Sequence, residues 1–133
     1  VSIQLLSRSC VARFMSHLKD GNPVTCLPPQ FVELLRAFEE HDEKSLKAQS
    51  GNESKRRVLW QLGLGSCVLA WRRDDKPVVD LHCTTYQMAV LLRLGTDGVP
   101  VTYGDLRRAL AIPEDELQAA LLSLTAPRHP VLL

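Results

Sequence analysis

Apolar positions recur along this chain first with the period of a strand, then with the period of a helix. Val1, Ile3 and Leu5 alternate with Ser2 and Gln4, which predicts a half-buried strand beginning at the first residue. A chain that opens inside a strand reads as a fragment of a longer one. Gly21-Asn22-Pro23 and Pro28-Pro29 mark residues 16–29 as a loop whose closing prolines suit a helix entrance. Phe31, Leu34, Leu35 and Phe38 follow at i, i+3, i+4 and i+7, the apolar stripe of an amphipathic helix ending near His41. From His41 to Arg57 the chain is polar and charged, with Ser50-Gly51-Asn52 at its middle. With almost nothing to bury, it is expected to be a mobile loop or insertion.

Three β-type runs come next, Val58 to Gln61, Ser66 to Arg72 and Pro77 to Cys83. The last two flank Arg73-Asp74-Asp75-Lys76, a polar connection that suits a hairpin. Cys67, Leu69 and Trp71 fall on one face of the first of these strands, and Val79, Leu81 and Cys83 on one face of the second. The pair predicts an antiparallel ribbon with one buried face.

The remainder is helical in pattern. Thr84 or Thr85 can cap a helix running to Leu94, with Met88, Leu91 and Leu92 inward and Gly95 placed to end it. Thr102-Tyr-Gly-Asp105 is a capping-box variant opening a short helix over about 103–110, with Leu106 and Leu110 on its buried side. Ile112-Pro113 then starts a helix over about 114–124, with Leu117, Leu121 and Leu124 as core candidates. Helix, tight turn, helix and the apolar end Val131-Leu132-Leu133 outline a winged helix-turn-helix. The fold class is therefore α+β: a small antiparallel sheet with a packed helix, followed by a winged-helix-type helical lobe.

Length and composition narrow the choice without overturning it. At 133 residues the chain is long enough for one compact domain with a core. Hydrophobic residues at 45% and charged residues at 23% suit a globular protein and neither a disordered tail nor a membrane protein. Sixteen basic against fifteen acidic residues leave a formal charge of +1, so no global field draws it to nucleic acid or acidic lipid. The longest apolar runs, such as Met88 to Leu92, fall far short of the roughly 20 residues of a membrane-spanning helix. The opening lacks the layout of a signal peptide. Both features predict an intracellular protein, cytoplasmic or nuclear.

Candidate chemistry is sparse. Cys10, Cys26, Cys67 and Cys83 include no Cys-x-x-Cys pair and no histidine placed to complete a zinc site, which predicts plain reduced thiols. Gly63-Leu-Gly65 lacks the third glycine and following helix of a phosphate loop and reads as a turn. His82 neighbours Cys83, but adjacent strand residues point to opposite faces, against a Cys-His nucleophile pair. Glu114, Asp115 and Glu116 complement the positive end of a helix better than they form an acid–base pair. Lys55-Arg56-Arg57, Arg72-Arg73 and Arg107-Arg108 could serve phosphate contacts. The would-be recognition helix, Glu114 to Leu124, nevertheless has three acids in its first turn and no basic residue, the wrong charge for a groove. No catalytic residue, cofactor or metal is assigned.

Three stretches together resemble the cullin homology domain. One is Leu27-Pro28, Phe31 to Phe38 and Arg57-Val-Leu-Trp60, similar to the family's Leu-Pro, aromatic-ended helix and Arg-Lys-Leu-x-Trp strand. Another is Thr85-Tyr-Gln87-Met-Ala-Val-Leu-Leu92, matching a helix of the form Gln-Met/Ala-x-Ile/Val-Leu-Leu. The last is Val101-Thr102, Asp105-Leu106, Ile112, Leu117 and Leu121 to Leu124, and Ile3 to Ser7 resembles the family's Val-x-Ile-Leu-Ser strand. The departures are Cys10-Val11-Ala12 for Trp-Pro, Glu39-Glu40 for Phe-Tyr, Leu94-Gly95 for Phe-Asn, and a longer Glu43–Lys55 segment. They point to a divergent member, either a large atypical cullin or the cullin-like subunit of the anaphase-promoting complex.

The resemblance implies a cullin-like sheet region over 1–83 and a winged-helix-like lobe over 84–133 of one integrated fragment. It also implies a non-catalytic scaffold of a ubiquitin ligase, to which a RING-box-type RING-finger protein adds a strand. That partner in turn holds an E2 ubiquitin-conjugating enzyme. The surface expected to take the partner strand is Leu69, Ala70, Trp71, Val78, Val79, Asp80 and Leu81, the densest β-forming region with a large aromatic anchor. The competing reading is that Trp71 fills the domain's own core. A winged-helix nucleic-acid-binding domain is the alternative function, and a small hydrolase using His82 or a cysteine the third.

Overall fold

Two apolar-alternating runs joined by a short charged turn can bury one face only by folding back on each other. In the computed structural model, which describes residues 2–6, 24–50, 58–97, 99–126, 128 and 131–132, they do so. Strand β1 (Ser66–Trp71) pairs antiparallel with β2 (Val79–Thr84). Cys67 faces Cys83, Leu69 faces Leu81 and Trp71 faces Val79, so the six residues of the expected apolar face lie together. The strands are a little displaced from the expected runs: β1 stops at Trp71, and β2 begins two residues after Pro77, which has no N–H to give a ladder. The turn between them closes with the Lys76 amide donating to the Arg73 carbonyl at 3.2 Å, and with Asp75 in the left-handed region at φ 60°.

Helix α1 (Pro29–Ser50) corrects the expected end near His41 and the expected loop beyond it. The apolar stripe does end at Phe38, but the following Glu, Lys, Ala and Gln are strong helix formers that need no buried face. Lys47 pairs with Glu43 one turn back at 2.8 Å. Residues 51–57 of the expected loop lie outside the described residues, as do Val1 and residues 7–23. The expected opening strand is not formed over residues 2–6, and the run Val58 to Gln61 is not a strand either. Among the described residues neither has a neighbouring strand to pair with. Trp60 instead meets Phe38 edge to face, with ring centroids 5.8 Å apart, and its indole N–H donates to the Glu39 carboxylate. That contact ties α1 to the rest of the chain.

Leu62–Leu64 forms one turn of 3-10 helix that delivers Leu62 to the core. Gly65 follows because nothing larger fits. A Cβ there would lie 2.2 Å from the Thr85 hydroxyl oxygen and 3.2 Å from the Leu62 carbonyl oxygen, while the Thr85 amide donates to the Gly65 carbonyl at 3.1 Å. Gly65→Ala is expected to cost about 1–3 kcal/mol of stability in a urea titration, the range for overpacking a filled site. Gly63→Ala, whose Cβ would meet only ordinary contacts beyond 3.5 Å, is the control and should change much less.

Helix α2 (Thr85–Asp97) is the centre of the molecule. It packs against both strands, the Leu62–Leu64 turn, α3 (Tyr103–Leu110) and α4 (Glu114–Leu124). Tyr86, Ala89 and Val90 from α2 meet Leu106 and Leu110 from α3 and Leu117, Ala120 and Leu124 from α4, with Cys26, Leu62 and Ile112 closing the cluster. Met88 is buried as expected, whereas Leu92 lies at the rim. The helix runs past Gly95, where a Cβ would meet nothing within 4 Å. Glycine there is neither a stop nor a packing requirement.

Caps set the remaining boundaries. The Thr102 hydroxyl accepts from the Asp105 amide at 3.2 Å and donates to its carboxylate at 2.7 Å, opening α3. That hydrogen bond, with Arg108 alongside, holds the Asp105 carboxyl below the usual range. Ala111 ends α3 in the left-handed conformation, and Arg107 reaches across the turn to Glu114 at 3.2 Å. Glu114, Asp115 and Glu116 occupy the first turn of α4, where the helix dipole favours them. After α4 the amides of Val131 and Leu132 donate to the Leu124 carbonyl at 2.8 and 3.0 Å, folding both side chains back onto the core. No strand follows α4 among the described residues, so the lobe is a helix-turn-helix with an apolar returning tail.

Candidate functional site

The ribbon stands at one end of the core, and its burial falls off along its length. At the base Cys83 is buried and Cys67 half-buried; Leu69 and Leu81 are half-buried in the middle; at the tip Trp71 is half-buried and Val79 exposed. The opposite face carries Val68, 53% exposed, with Ala70, Asp80 and His82 also exposed. Beyond β2's start, Val78 is 54% exposed. Apolar side chains therefore lie open on both faces at the tip.

The backbone adds a second unsatisfied feature. A two-stranded ladder uses only half of each strand's amides and carbonyls, and the rest point outward from the two edges. Among the described residues no third strand covers either edge. Trp71 lies outside the buried core cluster, and the Arg73 guanidinium sits over its ring at 4.3 Å. An arginine stacked on an indole is a contact for a partly exposed ring.

All seven residues singled out in the sequence, Leu69, Ala70, Trp71, Val78, Val79, Asp80 and Leu81, thus lie on this ribbon or at its approach. They do not share one face: Leu69, Trp71, Val79 and Leu81 are on one side, Ala70 and Asp80 on the other. Two residues of the surface were missed. Val68 is out of phase with the buried face, and that alternation alone marks it as outward. Arg73 is visible in the sequence only as part of a basic pair.

The joint between ribbon and lobe is built from three side chains, Thr84, Gln87 and Ser123. Thr84, the last residue of β2, is the N-cap of α2: its hydroxyl accepts from the Gln87 amide at 3.2 Å, and its own amide donates to the Gln87 side-chain oxygen at 2.8 Å. Gln87 also donates to the Ser123 hydroxyl at 2.6 Å, which in turn donates to the Ala120 carbonyl at 2.7 Å. Tyr86 sits beside this joint, with Gly63, Glu116 and Ser123 around the same shallow hollow. Burial, with Cys26, Glu116 and Asp115 nearby, pushes its phenol up to about 12. An unfolded tyrosine titrates near about 10, so this contribution to stability is intact below that pH and is lost as pH rises toward 12. The loss is at most roughly 2–3 kcal/mol. Tyr86→Phe should retain its stability over that interval better than the parent chain, read as the difference between the two urea midpoints at successive pH values.

Other chemistry finds no support in the geometry. His82 is exposed and Cys83 buried on the opposite face, and no three His, Cys, Asp or Glu side chains converge among the described residues. Gly63 and Gly65 belong to the 3-10 turn and its exit. Arg107 and Arg108 are engaged by Glu114 and Asp105, and Lys55-Arg56-Arg57 lies outside the described residues. No helix among the described residues is long and apolar enough to cross a membrane.

Comparison with known proteins gives a consistent family. The family described as the cullin alpha+beta domain matches residues 15–133. Cullin-2 of Arabidopsis thaliana is 32% identical over 108 residues, 80% of this chain and 13% of the relative. Cullin-3 of Dictyostelium discoideum is 31% identical over 81 residues, 61% of this chain and 10% of the relative. The chain spans only a small part of the length of these curated relatives.

Proposed function

The chain belongs to the cullin family, and from that membership we propose that it is a non-catalytic scaffold segment of a cullin-RING-type E3 ubiquitin ligase. In this reading a RING-box-type RING-finger protein adds a strand to the β1–β2 ribbon, and through that partner an E2 ubiquitin-conjugating enzyme is positioned. One observation carries the proposal: among the described residues no third strand covers the ribbon's edges and its tip is apolar, while the buried core cluster contains no ribbon residue. Strand addition uses such edges, with backbone hydrogen bonds for affinity and alternate side chains for selectivity. Leu69, Trp71, Val79 and Leu81 are the side chains offered on one face, and Ala70 and Asp80 on the other. Residues 1–83 form the receiving region and 84–133 the lobe that braces it. The working compartment is cytoplasmic, nuclear or both.

An uncovered edge with apolar neighbours is also an aggregation hazard. The isolated chain is expected to aggregate, and co-expression with a small RING-finger protein to bring it into a soluble complex by size exclusion. Within that complex, the outward amides of β1 or β2 should gain protection from hydrogen exchange. A well-behaved isolated chain that gains nothing from the partner would remove the proposal. Steeply salt-dependent DNA binding without a RING complex would replace it with nucleic-acid recognition.

A further inference from the structure

The register of the ribbon puts Cys67 directly opposite Cys83 on the same face. Directly opposed residues of an antiparallel pair have Cα atoms about 4.5 or 5.5 Å apart, and a disulfide spans Cα separations of about 4.4–6.8 Å. Their Cβ atoms, about 4.5–5.5 Å apart in such pairs, need only a small approach to reach the disulfide range of about 3.5–4.5 Å. We propose that Cys67 and Cys83 are an oxidative modification site, a thiol pair that a peroxide converts to an intrachain disulfide across the base of the ribbon. This site does not depend on the identity of any partner.

The two thiols have different parts to play. Cys67 is the more exposed; Cys83 is buried, with its S–H directed at the Leu81 carbonyl 3.4 Å away. Cys67, as thiolate, attacks one oxygen of hydrogen peroxide. The O–O bond breaks, the leaving hydroxide takes a proton to become water, and Cys67 becomes a sulfenic acid. Cys83 then attacks that sulfur and gives up its proton; the S–S bond forms, the S–O bond breaks and a second water leaves. Two thiols and one peroxide yield one disulfide and two waters. Burial raises both thiols above their ordinary range, with Cys83 adding to the rise at Cys67, so the first step is slow and selective for sustained peroxide. The second step is intramolecular. Cys26, the other described cysteine, belongs to the helical core cluster, which neither ribbon cysteine joins.

The test is peptide mapping by mass spectrometry of the full chain after graded hydrogen peroxide, with circular dichroism confirming that it stays folded. The expected product is a peptide pair linked through Cys67 and Cys83, lighter by two hydrogens, in excess over any link to Cys10 or Cys26. Ribbon amides should exchange about tenfold more slowly or better once linked, because the cross-link closes the hairpin. Cys83→Ser should leave Cys67 as a sulfenic acid captured by dimedone, and Cys67→Ser should leave Cys83 reduced. Loss of the Cys67 thiol without the Cys67–Cys83 link would overturn the proposal, as would a preferred link to Cys10 or Cys26. So would a Cys67 that survives peroxide sufficient to oxidise a free small-molecule thiol, or a linked ribbon whose exchange is unchanged.

Discussion

Leu117→Ala lowers the unfolding free energy by about 2–5 kcal/mol, the range for removing a leucine side chain from a packed core. Leu117 is 0% exposed and lies in α4 within the cluster that joins α2, α3 and α4. Val90, also 0% exposed, belongs to the same cluster from α2. The shortened side chain leaves a void at a meeting of three helices, where no single element can shift inward without leaving its other contacts. Against a total stability of about 5–15 kcal/mol for an ordinary domain, this is a large fraction. The check is a urea titration in which the midpoint falls and the slope stays constant. Leu122→Ala, five residues along the same helix but 72% exposed, should change by no more than about 0.5 kcal/mol. Equal effects at the two positions would mean that α4 presents a different face to the core.

The second large effect falls on the partner. Trp71→Ala in the co-expressed complex is expected to weaken association by about 2 kcal/mol or more, the scale of an aromatic hot spot, which is roughly thirtyfold in affinity. The ring is a broad apolar surface held at the ribbon tip under the Arg73 guanidinium, and it contributes nothing to the buried helical cluster. Partner recovery should therefore fall while the amides of α2, α3 and α4 keep their hydrogen-exchange protection. Loosening of the whole domain would instead make Trp71 a core residue, and the interface would have to be sought on another strand. Arg73→Ala should give a smaller loss of recovery, because it removes the stacked cation and leaves the indole in place.

What could be read from the residues depended on whether the signal was local. The helices over 103–110 and 114–124 carry their own start and stop chemistry in Thr102, Asp105 and Pro113, and both appear with those bounds. The ribbon was legible because alternation and a charged turn agree. The end of α1 was not, because the apolar stripe of Phe31 to Phe38 reports burial and not helicity: beyond Phe38 the helix goes on to Ser50 on propensity and the Glu43–Lys47 pair, with Asp42, Ser45 and Leu46 half-buried. Val58 to Gln61 failed for the opposite reason. A β-type composition cannot make a strand without a neighbour, and Trp60 was already engaged by α1. At the ribbon, sequence located the surface but not its two-sidedness or the stacked Arg73, which depend on the turn bringing the chain back. The demand for glycine at position 65 was likewise hidden, since it comes from Thr85, twenty residues away.

Thr84 ends β2 and caps α2 with no residue between them. Six strand residues and thirteen helical residues each extend about 20 Å, so the two form the arms of a crank joined without a hinge. Gln87, bonded to both Thr84 and Ser123, braces the elbow against α4. Torque applied at the ribbon tip is therefore delivered to the helical lobe as rotation and is not absorbed by a slack tether. Anything mounted on the ribbon inherits a fixed bearing relative to whatever the lobe is attached to, and that bearing is set by a threonine, a glutamine and a serine.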